Sequence, residues 1–142
     1  MIRRAKPGDL KAIVELTMEY IEKHEPYPFC RADKDRITDT IRTAVTGAGN
    51  FSWVNEVDGK VEGTLCAAAH DFAFYQRKQI SVLIFYNRVP GGAGLVKKFV
   101  KWFISRPALR AATIIMEISN PRLDRHLLKL GFKPMTMYVG ER

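Results

Sequence analysis

Little in this chain points toward a membrane, a metal or an oxidising compartment. Two cysteines in 142 residues, Cys30 and Cys66, are too few for a disulfide framework. No group of cysteines and histidines has the spacing of zinc ligands, so no metal is expected. No apolar run reaches the length of a bilayer span, and Met1-Ile2-Arg3-Arg4 leads into polar sequence, unlike a secretory signal. A reducing, cytoplasmic setting without a membrane follows as the expectation. Internal repeats, low-complexity tracts and linkers are also missing. The chain therefore reads as one domain over residues 1–142, long enough for a single core and too short for two. Gly-Lys-Ser and Gly-Lys-Thr do not occur, which removes a Walker A phosphate loop.

Negative charge is in deficit. Twenty-three Lys and Arg against fifteen Asp and Glu give a formal net charge of +8, which favours polyanionic partners: nucleic acid, an anionic surface or a phosphorylated small molecule. The basic residues are spread along the chain, so the charge does not choose among these. Aromatic residues lie near basic ones, but no RNP-like strand pattern accompanies them. A nucleic-acid-binding module rests on charge alone and is disfavoured.

Periodicity predicts the element order β-α-α-β-β-β-α-β-α-β. Residues 1–5 read as a strand, and Pro7 with Asp9 suits the first turn of a helix running to about His24. The prolines of EPYPF (residues 25–29) break that helix, and Asp33 can cap a second, ended by Gly47 and Gly49. Asp58-Gly59 is a two-residue hairpin turn between strands at 51–57 and 60–69. QISVLIFYN (79–87) is a nearly continuous apolar run of the kind found in a central strand. A glycine-rich loop and a helix stopped at Arg106-Pro107 follow it. TIIMEIS (113–119) is a further buried strand, residues 121–130 a helix with Gly131 at its end, and 132–139 a closing strand. The fold class is α/β (α+β), a mixed sheet with helices on its faces.

The loop NRVPGGAGLVKK (87–98) has the chemistry of an anion site. Gly91, Gly92 and Gly94 let backbone N–H groups approach a ligand closely, and the loop opens a helix whose first N–H groups are unpaired. Arg88, Lys97 and Lys98 surround it, although cations in the early turns oppose the helix dipole unless an anion sits nearby. Close packing of strand on helix accounts for the same glycines. The loop by itself leaves both readings open.

Two motifs in order bring a family into view. Arg88-Val89-Pro90-Gly91-Gly92-Ala93 fits the pattern Q/R-x-x-G-x-G/A, and NPRLDRHLLKLGF (120–132) supplies an Asn after a strand with Gly-Phe eleven and twelve residues later. Together with the opening strand and helix, these make the chain resemble, over essentially its full length, the GNAT (GCN5-related N-acetyltransferase) superfamily. VPGGAG also aligns with the common RGxGxG, which places Val89 where an arginine normally lies. The small size and the LLKLGF ending are similar to GNAT-like proteins of bacteriophages.

The resemblance implies a mainly antiparallel mixed sheet flanked by four helices, with the fourth and fifth strands splayed. It implies acetyl-CoA, or another acyl-CoA, as co-substrate in that gap. Its pantetheine arm would lie along Leu83, Ile84 and Phe85, and its pyrophosphate on Gly91, Gly92, Ala93 and Gly94 beside Arg88. Lys97, Lys98 or Arg110 would meet the 3′-phosphate, and Asn120 would face the pantetheine or order the strand end. An amine acceptor, a small molecule or a protein amine, would enter past Tyr27 and Phe29. Transfer by direct attack on the thioester needs a base, an oxyanion donor and an acid for the thiolate. The family's usual tyrosine acid falls here on Leu127, which donates nothing. Glu117 is the candidate base, with Glu56 and Glu62 on the hairpin as further carboxylates, and Tyr86, Tyr138 and the adjacent His126 are candidate donors. A catalytically silent protein of this fold, with a binding or structural role, is the second reading. The expected state is a monomer or a homodimer.

Overall fold

The computed structural model describes residues 1–142 except 25, 28, 29, 72, 73, 75, 110, 111, 118, 119 and 135–142. Strand β1 (Ile2–Arg4) leads through a 3₁₀ turn at Pro7–Asp9 into α1 (Leu10–His24), followed by α2 (Lys34–Thr46). Then come β2 (Phe51–Val57), β3 (Lys60–Asp71), β4 (Lys78–Asn87), α3 (Ala93–Ile104), β5 (Thr113–Met116) and α4 (Pro121–Lys129). The expected closing strand at 132–139 lies largely outside the described residues, and 132–134 are not in a strand. No helix among the described residues is long and apolar enough to cross a membrane.

Local chemistry accounts for the boundaries. The Asp33 carboxylate accepts from the N–H groups of Asp35 and Arg36 at 3.0 and 3.2 Å, so α2 starts there. Asp58 and Gly59 both have positive φ, 51° and 76°, which is the backbone a two-residue hairpin turn requires. The five strands lie in sequence order in one sheet. The first four run antiparallel, and β5 adds to β4 in parallel over Gln79–Val82 and Thr113–Met116.

Each face of the sheet carries a core. Helices α1 and α2 bury Ile13, Val14, Tyr20 and Ile41 against Val54, Cys66 and Ile84. Helices α3 and α4 bury Leu95, Phe99, Trp102, Leu123 and Leu127 against Phe51, Leu65, Ile80, Val82 and Phe85. Burial on this scale contributes about 1.5–3 kcal/mol per large apolar side chain. An ionic clamp ties β1, the turn after it and β2 together at one edge of the sheet. Arg3 donates to both Asp9 oxygens, at 2.8 and 3.0 Å, and to Glu56 of β2.

Candidate active site

The site begins where β4 and β5 part. Their last ladder pair is Val82 with Met116, and one further bond follows, from the Glu117 N–H to the Val82 carbonyl at 2.9 Å. Beyond it β4 continues to Asn87 without a β5 partner among the described residues. A bulge explains the divergence. Cys66 of β3 opposes Ile84 while Ala67 opposes Val82, so Leu83 is an extra residue in β4. The bulge shifts the pleat by one. Ile80 and Val82 face α3 and α4, Leu83 and Ile84 both face α1 and α2, and Phe85 returns to the α3/α4 side.

Asn120 spans the opening. Its amide Nδ2 donates to the Phe85 carbonyl at 2.9 Å, and its Oδ1 accepts from the N–H groups of Arg122 and Leu123 at 3.0 and 3.4 Å. One side chain caps α4 and pins the freed edge of β4. Of the two roles expected for Asn120, ordering the strand end is the one its bonds engage.

On the α3/α4 face, a cleft of about 400 Å³ opens over Phe85. Gly92, Ala93 and Val96 form one wall; Arg122, Arg125, His126 and Lys129 form the other. Within the loop, the N–H groups of Gly94, Leu95 and Val96 donate back to Gly91 and Gly92 carbonyls. Those of Gly92 and Ala93, at the head of α3, have no acceptor among the described residues. Gly91 has φ +112°, a conformation that a side chain strains. A Cβ on Gly92 would lie 3.1 Å from the Asn87 Cβ, whose own amide donates to the Val89 carbonyl and accepts from Asn55 at 3.1 Å. Gly94 serves packing: a Cβ there would lie 3.0 Å from Ile2 of β1. The glycines thus differ: Gly94 answers to packing, and the N–H groups beside Gly92 stand without acceptors among the described residues.

The cations differ from the expected set. Arg88 turns away from the loop, pairing with Glu19 at 2.8 Å and Glu62 at 3.7 Å. The pairing with Arg88 holds the Glu19 carboxyl below its ordinary range and raises the guanidinium in turn. Lys98 lies over the Trp53 ring at 5.0 Å, and Lys97 is exposed and does not line the cleft. Arg110 lies outside the described residues. The cleft takes its positive wall from α4 instead. The signal was present in the sequence: positions 122, 125, 126 and 129 recur at three- and four-residue steps, one stripe of a helix.

On the α1/α2 face a larger cavity, about 710 Å³, reaches Leu83 and Glu117. Tyr27, in the connection between α1 and α2, lines it and donates its hydroxyl to the Glu117 carbonyl. Burial, chiefly, lifts the Tyr27 phenol above its ordinary value, with Glu117 and Cys30 adding to the effect. Phe29 and Tyr138 lie outside the described residues. Tyr86 faces α1, where it accepts from Lys23 at 3.2 Å and meets Tyr20 edge-on at 5.3 Å, and it lines neither cavity. Leu127 is buried in the α3/α4 core, while His126, one residue earlier, turns into the cleft. Glu56 is engaged by Arg3 and Glu62 by Arg88, which leaves Glu117 as the expected carboxylate nearest the opening. Glu22, also in the larger cavity, was not foreseen.

The two cavities thus reach β4 two residues apart, at Leu83 and Phe85, from opposite faces of the stretch that has no β5 partner among the described residues.

No protein-family model matches the chain, and no curated protein matches it in sequence. Solved structures do. A GCN5-related N-acetyltransferase from Ralstonia eutropha JMP134 superposes with a TM-score of 0.71 at 15% identity, covering 100% of this chain and 97% of that one. A predicted acetyltransferase with acetyl-CoA from Clostridium acetobutylicum gives 0.73 at 13% identity, covering 100% and 95%. An aminoglycoside acetyltransferase from an uncultured soil metagenomic sample, in complex with sisomicin, gives 0.58 at 12% identity, covering 100% and 96%. At these identities the likeness is one of fold, and the fold is that of the GNAT acetyltransferases.

Proposed function

We propose that the protein is an acyl-CoA-dependent N-acyltransferase that moves acetyl from acetyl-CoA to a primary amine by direct attack. The observation that carries this reading is the opening of β4 from β5, met on one face by a cationic cleft at a helix N-terminus and on the other by a cavity large enough for an acceptor. A gap of this kind brings two ligands to one strand edge from opposite sides. The fold shared with acetyltransferases supports the same reading.

The residues of the cleft fit coenzyme A. In this reading, its pyrophosphate lies against the N–H groups of Gly92 and Ala93, where the α3 dipole favours an anion. Arg122, Arg125 and Lys129 neutralise it from α4, and the pantetheine arm follows Leu83, Ile84 and Phe85 toward the opening. The amine enters from the α1/α2 cavity past Tyr27. Its nitrogen must be neutral to attack, so Glu117, directly or through one water, takes the ammonium proton. A C–N bond forms as the C–S bond breaks, the acylated nitrogen gives up its second proton, and His126 relays a proton to the leaving thiolate. Because the thioester is already activated, holding both reactants in register accounts for a large share of the rate.

Leu127 specifically favours the second reading, a silent protein of the same fold, because it is buried where the family carries its tyrosine acid. Incubation of the protein with acetyl-CoA and a panel of primary amines separates the two. The enzyme reading predicts amine-dependent release of CoA and the matching acetylated product by mass spectrometry. Tight binding of acetyl-CoA with no product from any amine would support the silent protein.

A further inference from the structure

The acceptor cavity has a charge pattern that acyl transfer by itself does not require. Its floor is apolar, built by Ile21, Ile37, Ile41 and Leu83. Three carboxylates line it, Glu22 from α1, Asp33 at the head of α2 and Glu117 at the end of β5. Asp33 is engaged as the α2 cap, whereas neither Glu22 nor Glu117 has a side-chain hydrogen-bonding or ion-pair partner among the described residues. Arg31 and Arg36, just before and in the first turn of α2, line the same cavity. Arg36 is paired with the cap residue Asp33 at 3.6 Å, whereas Arg31 has no such partner among the described residues. The cavity therefore offers acceptors for an ammonium, an apolar middle, and a free guanidinium for an anion. A polycation would meet Arg31 and Arg36 in the same space, and a purely apolar amine would leave Arg31 unanswered.

We infer that the acceptor is an apolar zwitterion of the amino-acid or short-peptide class, its amine directed to Glu117 at the opening and its carboxylate to Arg31. This rests on the acyltransferase reading for the chemistry, and on the charges of the cavity for the choice of substrate. At about 710 Å³ the cavity is in the range of sites that enclose a small organic ligand, roughly 300–1,000 Å³, and has room for two residues rather than a long chain. Arg31 acts at a distance from the reacting atoms, so it sets which amines bind and does not take part in bond making.

The test compares leucyl-alanine with leucyl-alaninamide, which share the same amine and differ in the charge at the far end, with leucine and spermidine as further arms. Turnover with acetyl-CoA should favour the peptide over its amide by about ten-fold or more in kcat/KM, the worth of one charge-assisted contact. Arg31→Gln should bring that ratio toward one, and Arg31→Glu should reverse it, with acetyl-CoA affinity unchanged in both. Leucine against leucyl-alanine reports the length. Equal use of peptide and amide, a preference for spermidine, or an unchanged ratio in correctly melting Arg31 variants would overturn the inference while leaving the acyltransferase reading intact. If no amine is consumed, calorimetric binding of the same pair to the CoA-loaded protein decides. Carboxylate-dependent binding would uphold the acceptor class although the enzyme reading had failed; no preference would overturn it.

Discussion

Asn120 does two jobs through one amide, and substitution separates them. Asn120→Asp keeps an oxygen to cap α4 but loses the Nδ2 donor to Phe85, whereas Asn120→Ala loses both. The alanine variant should cost about 1–3 kcal/mol, a cap plus a hydrogen bond, and the aspartate variant about half of that, read from urea midpoints. Both should weaken acetyl-CoA binding if the Phe85 edge guides the pantetheine. At the reacting centre, Glu117→Gln should lower kcat by about 10²-fold or more and remove the acidic limb of the pH–rate profile, with acetyl-CoA affinity intact. An unchanged profile would take Glu117 out of the chemistry. Far from the site, Arg3 holds the Asp9 carboxyl below its ordinary value of 3.8. A carboxylate with a depressed folded-state pKa binds fewer protons folded than unfolded, so its contribution is present above about pH 4 and fades as acid protonates it. Asp9→Asn should therefore cost about 1–3 kcal/mol at neutral pH, and its deficit against the native protein should shrink as pH falls below about 4.

At the scale of elements, the cleft is defined by which face of α4 meets the head of α3. Replacing Arg125 or Lys129 by alanine should weaken acetyl-CoA binding about five- to ten-fold each and flatten its dependence on salt, while Lys98→Ala, over the Trp53 ring, should change it less than about two-fold. The reverse order would return the phosphate contacts to α3. Here the limits of sequence reading are visible in physical terms. Devices with a local cause were legible: Asp58-Gly59 makes its hairpin, and Asp33 caps α2. Devices that depend on a distant partner were not. Arg88 is drawn off the loop by Glu19, sixty-nine positions away, and nothing around Arg88 announces it. The bulge at Leu83 carries no glycine or proline to mark it, since it arises from how β3 and β4 register. The stripe on α4 was readable as a stripe, but the direction it faces is decided by packing of Leu123 and Leu127 beneath it.

For the whole molecule, the formal charge of +8 becomes less of a clue to nucleic acid once its placement is known. Several cations are spent on internal pairs, Arg3 with Asp9 and Glu56, Arg88 with Glu19 and Glu62, and the α4 group gathers at one cleft. What the architecture assembles is a sheet opened at one seam, with a cationic cleft on one side and a larger, partly apolar cavity on the other. The central claim is that coenzyme A occupies the first of these, and Gly92→Asp probes it. Gly92 has ordinary helical angles, φ −60° and ψ −19°. An aspartate there suits a helix N-terminus but asks the hydrogen-bonded Asn87 to yield by a few tenths of an ångström, so the variant is compared only after a melting curve shows it folded. The most direct measurement is calorimetric titration of acetyl-CoA into the native protein and this variant. The account predicts a native Kd of about 1–100 µM, a range ordinary for enzyme substrates, and a loss of about thirty-fold or more in a folded Gly92→Asp protein. No binding to the native protein, or equal binding to both, would contradict it.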